Sequence, residues 1–178
     1  GLRTGLALFG YTKNADIKDL TILGTVTGND RCAGIIAQDT GYTTVENCTN
    51  CADITAASGY AAGIVAFVAG PGSEYRNNTN EGTVSAAGYA TYTFASGGII
   101  GDINNTVVQT GVYESVIVTG NTNTGSVTVD KGAAGGIAGQ VSNGQAAFST
   151  NTNAGDVSST SGAYAGGILG RCSTAVSL

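Results

Sequence analysis

An all-β parallel solenoid is the fold that this 178-residue chain predicts, and three observations predict it. A glycine-isoleucine phrase is written five times, as Ala33-Gly34-Ile35, Ala62-Gly63-Ile64, Gly97-Gly98-Ile99, Gly135-Gly136-Ile137 and Gly166-Gly167-Ile168. An Asn-x-Gly-x-Val phrase returns at 80–84, 123–127 and 153–157, with Asn50-Cys51-Ala52-Asp53-Ile54 a degenerate copy. The runs between them alternate apolar and polar residues, and none has helical periodicity. A unit this short cannot bury its apolar face alone, so copies must stack on one another. The expected architecture is a parallel β-helix forming a single domain over residues 1–178. It would have about five to six coils of roughly 30 residues, each with three short strands. Right-handedness is expected from the general preference of parallel crossovers.

The repeated isoleucines, 35, 64, 99, 137 and 168, are 29, 35, 38 and 31 residues apart. The extra residues of the longer intervals fall around 89–95 and 106–115 and are predicted to be protruding loops. The first strand of each unit is Ile64-Val65-Ala66-Phe67-Val68 and its copies at 99–103, 137–141 and 168–172. Strand periodicity points its first, third and fifth residues inward, and its fourth (Asp102, Gln140 or Arg171) outward. On that reading Ile137→Asp should unfold the array and Gln140→Asp should be tolerated. The second strand is Val116-Ile117-Val118, matched by Val45, Tyr75 and Ala147-Phe148. The third is the Gly-x-Val phrase itself. Asn50, Asn80, Asn123 and Asn153 then share one column, and Asn78, Asn121 and Asn151 another. Stacking about 4.8 Å apart would let each amide bond to the next as a structural ladder. The same columns would otherwise be a polar ligand-binding row.

Composition narrows the function classes. Charged residues are 11% of the chain and hydrophobic ones 42%, with 29 glycines and one proline, Pro71. The net charge of -5 is scattered, which predicts neither nucleic-acid binding nor membrane insertion. Histidine is absent, and with it the commonest general base and metal ligand. No catalytic residue, metal site or cofactor is predicted. Cys48 and Cys51 form a lone C-x-x-C with no second pair, too little for a zinc site. Cys32, Cys48 and Cys172 fall in apolar or small columns and read as buried thiols, with a Cys48–Cys51 bond the rival reading. The acids are dispersed and read as solvated edge charges. Asn47, Asn77 and Asn104 head glycosylation sequons on outward positions. Tyr89, Tyr92 and Tyr113 crowd the two insertions, where amphipathic rings suit protein or sugar contacts.

Several of these phrases resemble a known family. The run 47–54, the run Ala133-Ala134-Gly135-Gly136-Ile137-Ala138-Gly139, and Leu8-Phe9-Gly10-Tyr11 followed by 17–26 are similar to the GLUG-type repeat of large bacterial surface proteins. The resemblance covers nearly the whole chain outside the two insertions. Ala52 stands where the pattern has glycine. The resemblance implies an extracellular β-helical stalk or adhesin region, sometimes attached to a separate catalytic domain, and it supplies no catalytic residues.

The resulting expectation is a non-enzymatic structural or adhesive module at the cell surface, acting as a rigid stalk or fibre component. Neither end carries a polar capping unit, which suggests a segment of a longer surface protein or a subunit that self-associates head to tail into filaments. Host or cell-surface glycans and proteins are the other expected partners. A carbohydrate-binding module using the loop tyrosines is the alternative. A β-helical polysaccharide lyase is less favoured, because the acids do not cluster.

Overall fold

The computed structural model describes residues 4–88, 94–105, 114–161, 164–174 and 176–177. It is a parallel β-solenoid whose strands form five sheets, each linear in coil order. Sheet 1 contains Gly5–Leu6, Arg31–Ala33, Tyr60–Ala62, Phe94–Gly97, Gly132–Gly135 and Tyr164–Gly166. Sheet 2 contains Phe9–Thr12, Ile36–Asp39, Val65–Val68, Ile100–Asn104, Ala138–Asn143 and Leu169–Cys172. Sheet 3 contains Asp16–Lys18, Thr44–Glu46, Glu74–Arg76, Val116–Thr119, Ala146–Ser149 and Val176–Ser177. Sheet 4 is built of two-residue strands: Thr21–Ile22, Thr49–Asn50, Thr79–Asn80, Thr122–Asn123 and Thr152–Asn153. Sheet 5 contains Thr25–Gly28, Asp53–Ala56, Val84–Ala86, Val127–Val129 and Val157–Ser159. A coil therefore has five short strands, where the sequence phrases suggested three. Two phrases each hide a bend: the glycine-isoleucine phrase joins sheets 1 and 2, and the asparagine phrase joins sheets 4 and 5.

Like residues lie over one another. Val26, Ile54, Val84, Val127 and Val157 form one column, and Cys32, Ala61, Ser96, Ala134 and Ala165 another. The core divides into three clusters, which show how a coil is folded. Sheets 2 and 3 enclose the largest, with Ile36, Val65, Ile100, Val45, Tyr75, Val118 and the repeated Ile35, Ile64, Ile99 and Ile137. Sheets 1 and 5 enclose the second, with Cys32, Ala61, Ile54, Val84 and Val127. The third lies between sheets 1 and 2 and uses Ala33, Tyr60, Ala66, Phe67, Ala95 and Ala133. Sheets 1 and 2 are thus the two arms of an arch that folds inward, and each arm has both faces covered. Burial on both faces explains why sequence alternation misleads there. Ala33, Ala66, Ala95 and Ala133 share the gap between the arms with the rings of Tyr60 and Phe67.

The tip of the arch is glycine for a steric reason. A Cβ at Gly34, Gly63, Gly98 or Gly136 would collide with the side-chain oxygen of Asn50, Asn80, Asn123 or Asn153 across the coil. The turn between sheets 3 and 4 is shaped by left-handed residues in one column: Asp19 (φ 56°), Asn47 (φ 55°), Asn77 (φ 54°), Gly120 (φ 67°) and Thr150 (φ 52°). Asp, Asn and Gly are the residues that tolerate this conformation.

Candidate functional site

The asparagine columns are continuous hydrogen-bonded chains. Asn50 Nδ2 donates to Asn80 Oδ1 at 2.8 Å, Asn80 to Asn123 at 2.7 Å, and Asn123 to Asn153 at 2.7 Å. Each of these amides also donates to the carbonyl two residues on, at Ala52, Gly82, Gly125 and Gly155. Asn78 and Asn121 run a second chain in which backbone N–H and Nδ2 both donate to the next amide oxygen, ending at Asn151. Cys48 N–H enters this chain by donating to Asn78 Oδ1 at 3.0 Å. Asn50, Asn78, Asn80, Asn121 and Asn123 are fully buried, so these columns offer a solute no row of free amides. Ile22 precedes Asn50 in its column, and Asn50 Oδ1 has no hydrogen-bond partner among the described residues.

Two carboxylates read from sequence as solvated are buried. Asp39 has no exposed surface and accepts from Ser73 Oγ at 2.6 Å, Tyr75 hydroxyl at 2.7 Å, Gly41 N–H at 3.1 Å and Thr12 Oγ1 at 3.2 Å. Four donors compensate the loss of water around the charge. Burial, followed by the charge of Asp39, holds the Tyr75 hydroxyl well above its ordinary pKa. Asp39 occupies the column of Thr12, Val68, Ile103, Val141 and Cys172. A single acid in that apolar column was the available sequence signal.

The other acid, Asp102, lies in a lane between the arms of the arch. Sheet 2 supplies the column Tyr11, Gln38, Phe67, Asp102, Gln140 and Arg171. Sheet 1 supplies Arg31, Tyr60, Ala95, Ala133 and Tyr164 opposite. Arg31 hydrogen-bonds Gln38, and its guanidinium lies 4.2 Å from the centre of the Phe67 ring. Tyr60 packs against Phe67 at 5.2 Å and edge-on to Phe94 at 5.8 Å. In the final coil Arg171 lies 5.7 Å from the centre of the Tyr164 ring. Asp102 is 1% exposed, and Gln140 is buried beside it. The fourth position of this strand therefore points into the gap between the arms, which corrects the outward assignment of Asp102 and Gln140.

A β-bulge completes the Asp102 site. Ile103 pairs with Val141 and Asn104 with Asn143, so Ser142 is an extra residue with no opposite number. Its hydroxyl donates to Asp102 Oδ2 at 3.0 Å, and its N–H donates to Oδ1 at 3.3 Å. Bulges re-aim side chains in this way. Burial pushes the Asp102 carboxyl up to about 6, against the hydrogen bonds from Ser142, Gln140 and Tyr60. The chemistry available here is gain and loss of a proton near that pH.

Stability should follow that proton. A carboxyl raised in the folded state binds protons that the unfolded chain releases, so it opposes folding above pH 6 and ceases to do so below the ordinary carboxyl range. With Asp102 raised from 3.8 to about 6, resistance to urea should increase as pH falls from 7 to 4. The contribution is on the order of 3 kcal/mol. Asp53 and Asp130, held low chiefly by hydrogen bonds from Thr83 and from Ser161 respectively, act in the opposite sense, but both are exposed. Asp102→Asn should flatten the dependence and raise the midpoint at pH 7; an unchanged pH profile would contradict the assignment. Gln140→Asp, expected from sequence to be tolerated, should instead be destabilising, because it places a second carboxyl one rung from Asp102.

The remaining sequence candidates are dispersed. Asn47 and Asn77 are exposed on the left-handed turn column, and Asn104 is half-buried at the bulge. Tyr89, Tyr92 and Tyr113 lie outside the described residues. All four cysteines are free: Cys32 and Cys48 are buried, Cys51 is intermediate, and Cys172 is exposed in the final coil rather than buried. Burial raises the Cys32 thiol to about 11, which makes it unreactive. Among the described residues no helix is long and apolar enough to cross a membrane.

No family model matches the chain, and no curated protein matches it. Among solved structures, a Bacteroides ovatus protein determined at 1.30 Å and named a putative immunoglobulin A1 protease has the same fold. The TM-score is 0.72 at 19% identity, over 99% of this chain and 56% of that one. The chain thus spans little more than half of that protein's length, and the likeness is one of fold. It also overturns one expectation. Scattered acids and absent histidine led the chain to be read as no enzyme, yet the same solenoid occurs in a protein named as a protease. Dispersed acids within the repeats are therefore no ground for excluding an enzyme.

Proposed function

We propose that this chain is a rigid solenoid region of an extracellular protein that also carries catalytic activity, holding parts of that protein, or the protein and its cell, at a set separation. The observation that carries the reading is the parallel pairing of successive coils in all five sheets, shifted at the Ser142 bulge and reinforced by two amide chains. A body built this way resists bending, because the described strands of each coil are hydrogen-bonded to those of the next in several sheets at once. The fold shared with the Bacteroides ovatus protein supports the extracellular and enzymatic setting. The GLUG-type kinship belongs to the same reading and rests on the repeated phrases. An antibody against the solenoid should label intact cells that express the natural gene product; labelling only after permeabilisation would refute the extracellular assignment.

Self-association is the partner reading that a specific observation favours. Leu6, Leu8, Phe9 and Leu23 are exposed on the first coil, beside strand edges that could accept a further coil. Sedimentation of the purified chain over a range of concentrations tests it.

A further inference from the structure

One exposed turn holds a tyrosine in a backbone conformation that tyrosine disfavours. The turn joining sheets 2 and 3 has a left-handed position filled by Asn14 (φ 51°), Tyr42 (φ 55°) and Gly72 (φ 66°) in successive coils. Their N–H groups donate in the same pattern, to the carbonyls of Gly41, Pro71 and Glu114. Asn and Gly suit this conformation, whereas a bulky ring there is an outlier of the kind that collects at functional sites.

The surroundings of Tyr42 are shaped around its ring. Tyr42 is 46% exposed and lies across Gly72, where a Cβ would come within 2.8 Å of Tyr42 Cδ1 and Cε1 and 2.7 Å of Glu114 Oε2. The missing side chain at Gly72 is what allows Tyr42 and Glu114 to meet. Glu114 Oε2 and the Tyr42 ring face each other over Gly72, and desolvation, followed by the charge and hydrogen-bonding pull of Glu114, raises the Tyr42 hydroxyl above its ordinary pKa. Two residues earlier, Thr40 Oγ1 donates to the Tyr11 hydroxyl at 3.0 Å, and Tyr11 is 62% exposed. The turn thus carries an accessible ring beside a carboxylate, and through Thr40 it is tied to the hydroxyl of a second accessible ring on the neighbouring strand.

We propose that Tyr11, Thr40, Tyr42 and Glu114 form a binding site for a neutral sugar. The rings accept the C–H face of a pyranose, and the Glu114 carboxylate accepts hydrogen bonds from sugar hydroxyls. Glu114 and the net charge of -5 repel acidic glycans. The proposal does not depend on the scaffold reading.

The test applies the whole chain to a printed array of neutral and sialylated glycans, then titrates the best-bound glycan into wild type, Tyr42→Asn, Tyr11→Ala and Glu114→Gln. Binding to neutral glycans is expected, and each substitution should weaken it roughly tenfold. The Tm of Tyr42→Asn should equal or exceed that of wild type, since Asn14 occupies the same backbone position. A blank array, binding confined to sialylated glycans, or undiminished binding by Tyr42→Asn and Tyr11→Ala would overturn the proposal. So would a sharply lowered Tm for Tyr42→Asn, which would make the ring a structural element.

Discussion

Ile137→Asp is expected to abolish cooperative folding of the array. Ile137 has no exposed surface and belongs to the largest core cluster, one coil from Ile99 and one from Ile168. An aspartate there would lose the transfer energy of the isoleucine, about 2 kcal/mol, and would also carry a carboxyl into an apolar site without donors. Substitutions of this kind exceed 4–5 kcal/mol, about the whole stability of a small domain. Repeats stabilise one another only through their neighbours, so the loss in one coil undermines those on both sides. Circular dichroism of the purified variant should show loss of the β signal; a Tm within a few degrees of wild type would refute the core assignment.

Asn80→Ala should be the next most damaging change. Asn80 sits mid-ladder, accepts from Asn50 and donates to Asn123 and to the carbonyl of Gly82, all out of water. Its removal leaves an orphan donor on Asn50 and orphan acceptors on Asn123 and Gly82, at about 1–3 kcal/mol for each buried group. A loss of about 3 kcal/mol or more is expected in urea unfolding, with Thr79→Ala, its half-buried neighbour, nearly neutral. A change below about 1 kcal/mol in Asn80→Ala would mean that water replaces the amide.

The ladder is legible in the sequence because identical residues at a fixed period have one economical explanation, stacking in columns. Where the columns bury their side chains was less legible. A strand covered on one face alternates, but sheets 1 and 2 are covered on both faces by the inward arch, and Asp102 and Gln140 carry polar groups into one of those gaps. Alternation counting cannot detect a second covered face. Ser142 has no sequence signature, because one added residue in a repeat of variable length is indistinguishable from loop variation until register shows it unopposed. Tyr42 has none either, because conformational strain is a property of φ and ψ, not of composition.

The order of residues alone determined that this protein is a stack of similar coils, with isoleucines inside and asparagines in file. Periodic identity leaves few other ways to bury each unit. Tertiary structure decided that each coil is built of five short strands and folds an arch inward, which makes Asp39 and Asp102 interior carboxyls and brings Tyr42 against Glu114 across a bare glycine. These outcomes depend on which faces meet across a coil, and contacts between segments distant in sequence carry no local signature.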